Sequence, residues 1–303
     1  MYSSPNDLTL IGRSILQSSH SSSPLNITSS VARRWLKPES HTNSLTASVG
    51  APWEIFRYQM PNVNHVVDVY TKSGNIGAYA DILAVVPEWD IGFVIMAADY
   101  PINPLLNVWT LASLLIDQFF PAFDTVARQE ADNVYAGEYV YGSGSVDQNG
   151  NETVDSGLNS SIILSTDPTK PGLGIEKWIS NGTDFLGTLG SLLGYDTITA
   201  RLYPAGLHSD QKEKGGEGSF GNNSTDSVEQ VAFRAVYEDP QAQAYSGLVS
   251  PVCLSWLGVD SNRYGSIALD QFVFNLPVTG GKEAEKSLSI KPRALRVKLE
   301  RNA

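Results

Sequence analysis

A lysine, a small hydroxyl residue and a glycine follow one another at Lys72-Ser73-Gly74, within a segment that favours a β-strand. A lysine ammonium beside a hydroxyl can stabilise an anionic intermediate and can bind a substrate carboxylate. Such a tripeptide also arises by chance in solvated turns, so the surrounding residues must decide between the two interpretations.

Other common catalytic patterns are missing from the sequence. Its four histidines, His20, His41, His65 and His208, lie far apart, and no two of them have the spacing of metal ligands. There is no Gly-x-Ser-x-Gly nucleophile elbow and no glycine-rich phosphate-binding loop. These absences remove the main support for α/β-hydrolase and nucleotide-binding functions, and they leave the triplet as the principal candidate site.

Apolar runs on both sides of the triplet predict the framework that positions it. Val66 to Tyr70 is predicted as a strand, and the runs Ile82 to Val86 and Ile91 to Ala97, separated by Pro87, form a tight hairpin. Both hairpin runs are almost continuously apolar, which is typical of strands that are covered on both faces.

Two helices are predicted from their start and stop signals. The segment Ser4 to Asp7 offers a serine N-cap, a proline at the first helical position and an aspartate in the first turn. Asn103 and Pro104 open a second, largely apolar helix, which extends to Phe120 and which Pro121 should stop.

After about residue 130 the helical periodicity gives way to short β-type runs separated by turn residues. Phe272 to Phe274 and the last run, Leu295 to Glu300, alternate between two faces as strands do. We therefore predict an α+β chain with one αβ domain at residues 1–125 and a separate antiparallel β-domain, a barrel or a sandwich, at residues 130–303.

The order of motifs around the triplet resembles the serine β-lactamase and penicillin-binding-protein superfamily, including its class C-type esterases and acyltransferases. There, a Lys-Thr-Gly-type triplet on an edge strand lines the active site. It typically follows a Gly-x-Gly-Trp segment, similar to Gly50-Ala51-Pro52-Trp53, and precedes a Gly-Tyr pair, similar to Gly77-Ala78-Tyr79. Ser4 to Leu8 matches an upstream Ser-x-x-Asp-Leu, and Tyr135 to Tyr139 matches the Tyr-x-Gly-x-Tyr that opens an added β-domain. Such a C-terminal β-domain is what a fungal-type member would carry.

This resemblance implies that residues 1–125 are the C-terminal part of a β-lactamase-like αβ sandwich. It also implies acyl transfer through a serine ester, with a small-molecule ester, amide or β-lactam as the substrate. By this resemblance Lys72 is the catalytic residue, and Ser73, Gly74 and Asn75 bind the substrate, with the Asn75 N–H as the strand donor of the oxyanion hole. The resemblance implies no metal and no organic cofactor.

The nucleophile of that family is the serine of a helical Ser-x-x-Lys motif, helped by a Tyr-x-Asn or Ser-x-Asn motif. The single Ser-x-x-Lys here, Ser209-Asp210-Gln211-Lys212, lies in a charged, loop-like segment, and we interpret it as a chance match. We therefore expect an N-terminally truncated homologue that is inactive alone and self-associates through its incomplete first domain. The rival interpretations are a non-catalytic binding or pseudoenzyme module and, on the strength of Trp178 and Trp256, a carbohydrate binder.

The composition limits the partners and the compartment. A formal net charge of −11 over 303 residues argues against nucleic acid and anionic membranes as partners, since both are negatively charged. The opening residues have no signal-peptide pattern, so the localisation of this chain stays open. The single cysteine, Cys253, is compatible with the cytosol and with a secreted parent protein, and several glycosylation sequons favour the secreted parent. They begin at Asn26, Asn151, Asn159, Asn181, Asn222 and Asn223.

Overall fold

The computed structural model describes residues 3–17, 25–61, 63, 65–98, 104–141, 145–146, 152–153, 159–212, 227–241, 255–278 and 285–302. The chain divides into two compact units, Met1–Ala127 and Arg128–Ala303. Helices and antiparallel sheets both contribute, and the fold class is α+β as predicted.

The first unit contains a six-stranded sheet in which every strand pairs with its neighbour along the chain. All of these pairings are antiparallel, so the sheet is a meander. The strands are β1 (Ser40–His41), β2 (Ala47–Val49), β3 (Glu54–Gln59), β4 (Val66–Ile76), β5 (Tyr79–Val86) and β6 (Ile91–Ala98). The helices that begin in this unit are α1 (Pro5–Leu16), α2 (Ser29–Trp35) and α3 (Pro104–Tyr135), and a 3-10 turn, Pro87–Trp89, joins β5 to β6.

Helix α1 begins as its sequence predicts. The Ser4 hydroxyl accepts from the Asp7 N–H, and the Asp7 carboxylate accepts from the Ser4 N–H, both at 3.2 Å, which completes a capping box. A Cβ added to Gly12 would lie 3.3 Å from Leu83 and from Val85, so the absence of a side chain there lets the helix approach β5 closely.

The two hairpin strands differ in how far they are covered. On β5, Leu83 and Val85 pack with α1, and Ala84 and Val86 pack in a second cluster that includes Phe120 of α3. The prediction of two covered faces is therefore confirmed for β5. It is wrong for β6, whose side chains are half-buried or exposed because β6 is the last strand of the sheet.

The prediction that Pro121 ends the second helix is wrong, since α3 continues through it to Tyr135. A proline inside a helix removes one hydrogen bond and costs about 3 kcal/mol. Packing on both sides of the proline offsets that cost: Phe120 is buried, and Phe123 lies against the same cluster. The predicted cap, Asn103, lies outside the described residues.

His65 is held between two carboxylates of the first unit. Its Nε2 lies 2.6 Å from Glu88 Oε1, and its Nδ1 lies 3.3 Å from Asp124 Oδ1. Burial lowers the pKa of His65, but the hydrogen bonds and charges of Glu88 and Asp124 together raise it by more, so the pKa lies above its ordinary 6.5. The two contacts of the ring tie the turn after β5 to α3.

This arrangement predicts a pH dependence of stability. A raised folded-state pKa gives stabilisation that is complete below the unfolded pKa of about 6.5 and is lost as the pH rises through the folded pKa. Thermal unfolding of the full chain between pH 5.5 and 8.5 should show this loss, and His65→Gln should flatten it. His41→Gln is the matched control, because His41 contacts the Ser48 hydroxyl at 3.0 Å and pairs with no carboxylate among the described residues. Parallel pH curves for the wild type and His65→Gln would contradict the prediction.

The second unit is a closed antiparallel barrel, which decides between the two architectures that the sequence left open. The strands are β7 (Gly137–Tyr141), β8 (Ser145–Val146), β9 (Glu152–Thr153), β10 (Ser161–Asp167), β11 (Lys170–Ser180), β12 (Thr183–Asp184), β13 (Thr199–Lys212), β14 (Ser227–Glu238), β15 (Arg263–Tyr264), β16 (Ile267–Ala268), β17 (Gln271–Pro277), β18 (Ser289–Pro292) and β19 (Leu299–Arg301), and the helix is α4 (Phe185–Leu193). The barrel strands run in the order β10-β7-β19-β18-β17-β14-β13-β11, and pairing of β10 with β11 closes the ring. Strand β12 extends from β11, and β8 with β9 and β15 with β16 form two-stranded pairs.

Alternation along β17 fills the barrel as predicted, because Phe272 and Phe274 are buried while Val273 is only partly buried. The predicted last strand is largely wrong. Only Leu299–Arg301 is a strand, and the preceding residues form a turn in which Arg296 has a φ of 58°. Leu295 and Val297 still pack against the core, so their alternation reflects burial in a turn.

The two tryptophans that suggested a carbohydrate site have different environments. Trp178 is buried in the barrel core, with its ring 4.0 Å from that of Phe185 in α4. Trp256 is half-exposed and lies 4.7 Å from the ring of Tyr203. Trp178 therefore serves packing, and one half-exposed tryptophan alone does not form a sugar platform.

The described helices include none that is both long enough and apolar enough to cross a membrane. Helix α3 does carry half-exposed apolar side chains at Leu111, Leu114 and Phe119. Exposed apolar area of this kind favours association. Self-association through the first unit stays a prediction.

Candidate functional site

The triplet lies on β4, at the point where the strand loses its neighbour on one side. Pairing between β3 and β4 runs from Gln59↔Val66 to Glu54↔Thr71, and β3 begins there. On the other side, β5 pairs with β4 as far as Ile76. Among the described strands, none pairs with the outer side of residues 72–76. β4 is therefore an interior strand whose last residues form an open edge.

Glu54 occupies the first part of this open edge. Its Oε1 accepts from Lys72 Nζ at 2.7 Å, and its Oε2 accepts from the Ser73 N–H at 3.1 Å. The Ser73 hydroxyl lies 3.0 and 3.2 Å from the two carboxylate oxygens. Lys72 Nζ also donates to the Ser73 carbonyl at 2.7 Å. A cation, a hydroxyl and a backbone amide thus all contact the Glu54 carboxylate.

The direction of the Ser73 N–H determines the direction of the Asn75 N–H. Because the Ser73 N–H donates to Glu54, it points away from β5. Backbone groups alternate along an antiparallel strand, so the N–H two residues later points the same way. The Asn75 N–H therefore faces the open edge, which is where the resemblance expects an oxyanion donor.

Gly74 lies opposite Asp81, its partner in the β4–β5 register. A Cβ added at Gly74 would lie 2.8 Å from Asp81 Oδ1, so a side chain at this position would oblige the Asp81 carboxylate to move. Gly74 thus leaves room for a carboxylate beside the triplet.

Contacts at the start of β3 fix the backbone from which the Glu54 side chain extends. Trp53 is buried in the cluster formed with α1 and α2, and its carbonyl accepts from the Gly50 N–H at 2.8 Å. The Glu54 carbonyl accepts from the Thr71 hydroxyl at 2.8 Å. These contacts anchor the Gly50-to-Trp53 segment that the resemblance singled out.

Tyr70, two residues before Lys72, does not supply a base. Burial raises the pKa of Tyr70 to about 12, with a smaller contribution from the charge of Asp68 and an opposing one from Arg57. The phenol is therefore protonated at neutral pH. Its ring packs edge-on against Trp53 at 6.3 Å, which is a structural role.

The open edge is distinct from two depressions on the described surface of the first unit. Each has a volume of about 330 Å³, and neither is lined by residues of the triplet. One lies beside α2 and includes Arg34 and Trp35, and the other lies between α2 and β4 and includes Arg33 and Tyr70. The candidate site is therefore a strand edge, open to a ligand or to another polypeptide.

The single Ser-x-x-Lys segment is not a loop, as the sequence suggested, because Ser209–Lys212 pairs with β14 as part of β13. The family motif needs a helical turn to bring its serine and lysine together. A strand lacks that turn, which supports the interpretation as a chance match. The described residues also contain no cluster of His, Cys, Asp and Glu that could hold a metal ion.

The candidate glycosylation sites fall into two groups. Asn26, Asn159 and Asn181 are exposed. The other three, Asn151, Asn222 and Asn223, lie outside the described residues.

Glu54 is a site residue that the sequence did not predict, because β3 was not predicted either. In an antiparallel pair each residue has a fixed partner, so once β3 and β4 are recognised as neighbours, Glu54 falls opposite Thr71. The available signal was its position directly after Trp53 in the matched segment.

Comparison with known proteins places these features in context. A family model described as "Beta-lactamase-like-like, C-terminal domain" matches residues 127–303. The chain is 29% identical over 301 residues to a "Beta-lactamase-like protein" of Arthroderma benhamiae, covering 93% of this chain and 46% of that protein. It is 26% identical over 302 residues to "Probable hydrolase clz13" of Cochliobolus lunatus, covering 95% of this chain and 42% of that protein.

A third relative, "Probable hydrolase M10" of a Phoma species, is 30% identical over 194 residues, which cover 61% of this chain and 27% of that protein. The chain thus spans less than half the length of each of these curated relatives. No solved structure matches the chain significantly.

Proposed function

This chain belongs to the β-lactamase-like family, and on that basis we propose that it supplies the lysine-and-strand side of an acyl-binding site for serine-dependent hydrolysis or acyl transfer. The observation that carries the proposal is the open edge of β4, along which Lys72, the Ser73 amide and the Asn75 amide lie. Relatives with hydrolase names support the same class of reaction.

In the proposed reaction, each group on this edge has one task. The Asn75 N–H donates to the carbonyl oxygen of the acyl group as negative charge develops on it. The Lys72 ammonium stabilises anionic forms near the attacking hydroxyl, and Ser73 contacts the substrate. The serine ester that forms would be resolved by water or by an alcohol. Esters, amides and β-lactams all contain the carbonyl that such a site recognises.

The nucleophile is not among the groups at this edge. Neither the sequence nor the strand position of Ser209 provides a helical Ser-x-x-Lys within the 303 residues. We therefore propose that catalysis needs a serine from polypeptide outside this sequence, and that the chain alone binds acyl ligands without turning them over. The alternative, a non-catalytic binding or pseudoenzyme module, shares the binding step and differs only in having no catalytic complement.

The binding step is testable on the chain alone with an uncharged acyl probe, benzylpenicillin methyl ester. Titration into ¹⁵N-labelled protein should shift the Asn75 amide and its neighbours on β4, because the Asn75 N–H faces the open edge. Lys72→Met should leave most of this shift, since the probe carries no charge for Lys72 to bind. Amide shifts confined to the barrel, or no amide shifts at millimolar probe, would contradict the proposal.

We also propose that the parent protein is glycosylated and secreted. They are supported by the exposure of Asn26, Asn159 and Asn181, because a transferase needs access to the acceptor asparagine. A loss of mass on glycosidase treatment of protein made in a secreting eukaryotic host is the relevant measurement, and an unchanged mass would contradict it.

A further inference from the structure

Glu54 fills the position at which the site would hold an anionic group of a ligand. Its carboxylate accepts from Lys72 Nζ at 2.7 Å, from the Ser73 N–H at 3.1 Å and from the Ser73 hydroxyl at 3.0 Å. A cation, an amide and a hydroxyl of this kind are together suited to a carboxylate. In this chain the carboxylate they bind is the chain's own.

The position of Glu54 is set by the sheet itself. Glu54 pairs with Thr71 as the first residue of β3, and its carbonyl accepts from the Thr71 hydroxyl. Its side chain extends along the line on which β3 would have continued, and it takes up the Ser73 N–H in place of a strand carbonyl. The carboxylate therefore closes the part of the open edge nearest β3.

The site remains accessible around this carboxylate. The side chains of Glu54 and Lys72 retain 32% and 44% of their exposure, so a ligand can reach both. A second carboxylate brought to Lys72 and Ser73 would meet the negative charge of Glu54, and like charges at such distances repel. A carboxylate ligand must therefore displace Glu54 before it can bind.

An uncharged acyl group meets no such obstacle. The Asn75 N–H is not among the donors that Glu54 engages, and it lies further along the same edge. Beyond it, Ile76 and Tyr79 are 80% and 64% exposed at the end of the β4–β5 hairpin. An apolar surface next to a free amide favours a neutral, hydrophobic acyl group.

From these contacts we propose that Glu54 determines specificity, directing the site to acyl groups that lack a neighbouring carboxylate and excluding those that carry one. The favoured substrates are neutral esters and amides, and free β-lactam acids are excluded. This inference rests on the proposed function, since it describes the ligand of the same site.

The test compares benzylpenicillin with its methyl ester, which differ only in whether the carboxylate is free. Binding is followed by the Ser73 and Asn75 amide shifts in the wild type, in Glu54→Gln and in Asp68→Asn. Asp68→Asn removes the same charge from the same pair of strands, where Asp68 pairs with Arg57 at 3.2 Å. We expect Glu54→Gln to bind the free acid at least tenfold more tightly than the wild type does, with the ester unaffected and Asp68→Asn unchanged.

Two further variants extend the test, and the first of them, Glu54→Asp, replaces Glu54→Gln if that variant folds poorly. Glu54→Asp withdraws the carboxylate by one methylene and should give a smaller gain for the free acid. Lys72→Met in the Glu54→Gln background should remove the gain, because the cation that binds the acid is gone. Thermal unfolding of each variant reports whether it is folded.

The outcomes separate this inference from the proposed function. If the ester shifts Asn75 but the free acid binds equally to wild type and Glu54→Gln, the role of Glu54 is refuted and the acyl site stands. An equal gain in Asp68→Asn would show a general charge effect and would also refute it. If neither probe shifts the β4 amides in any variant, the acyl site itself is refuted.

Discussion

The 303-residue chain is expected to hydrolyse neither p-nitrophenyl acetate nor a chromogenic cephalosporin above the buffer rate, and to take no label from a fluorophosphonate probe. The reason is chemical: the acyl-enzyme of this family forms on the serine of a helical Ser-x-x-Lys motif, and neither Ser73 nor Ser209 lies on a helix. The Ser73 hydroxyl is bound to the Glu54 carboxylate, and Ser209 lies on β13. Losing the nucleophile of such an enzyme lowers its rate by roughly a thousandfold or more.

A class C β-lactamase assayed in parallel shows that the reagents work, and heat-unfolded chain gives the background labelling. Ser73→Ala and Ser209→Ala identify the residue if any label appears. Stoichiometric labelling that disappears in Ser209→Ala would show that the one Ser-x-x-Lys is functional and that we misjudged it. Labelling that disappears in Ser73→Ala would place the nucleophile within the strand triplet.

Replacing Phe274 by alanine should lower the free energy of unfolding of the barrel by about 3–5 kcal/mol, the usual cost of a large cavity in a core. Phe274 has no exposed surface and lies at the centre of an aromatic cluster. Its ring is 4.9 Å from those of Tyr135 and Phe233, and 6.1 Å from that of Tyr139. Three neighbouring rings would lose their common partner, and the packed barrel cannot collapse fully into the space.

Urea unfolding of the full chain, followed by the amide signals of residues in the barrel, measures this change. Val273→Ala is the matched control, because Val273 is on the same strand, points to the other face and is only partly buried. It should cost less than half as much. If both variants unfold at the same urea concentration, Phe274 is not a central core residue and the inward face of β17 is misassigned.

Local signals predicted those parts of the fold that local interactions decide. The capping box of Ser4 and Asp7 and the alternation at Phe272 and Phe274 depend on residues within a few positions of one another. The predicted helix end at Pro121 is wrong because the packing of Phe120 and Phe123 outweighs the cost of a proline inside a helix. The sequence shows that cost but not the packing. Closure of the barrel depends on β10 meeting β11 across the ring, and no local pattern distinguishes it from a sandwich.

The candidate site was likewise predictable only where its residues are close together in the sequence. The triplet at Lys72 to Gly74 was identifiable because its residues are consecutive and its flanking motifs follow a familiar order. Glu54 and Asp81 join it only through strand register, at Glu54↔Thr71 and Gly74↔Asp81. A prediction of their contacts requires the correct strand partners and the correct alignment, which a single sequence rarely specifies.

Within the barrel, the first and last strands are neighbours: β7 pairs with β19 at Tyr139↔Arg301. The Arg301 guanidinium donates to the Val134 carbonyl at 2.7 Å and to the Ala136 carbonyl, which draws the two ends of this stretch of chain together. Because β7 and β19 adjoin, a barrel of this topology can be cut at an outer loop and joined between these two strands with its strand pairing unchanged. The spatial order of the strands is thus independent of the place at which the chain enters the barrel.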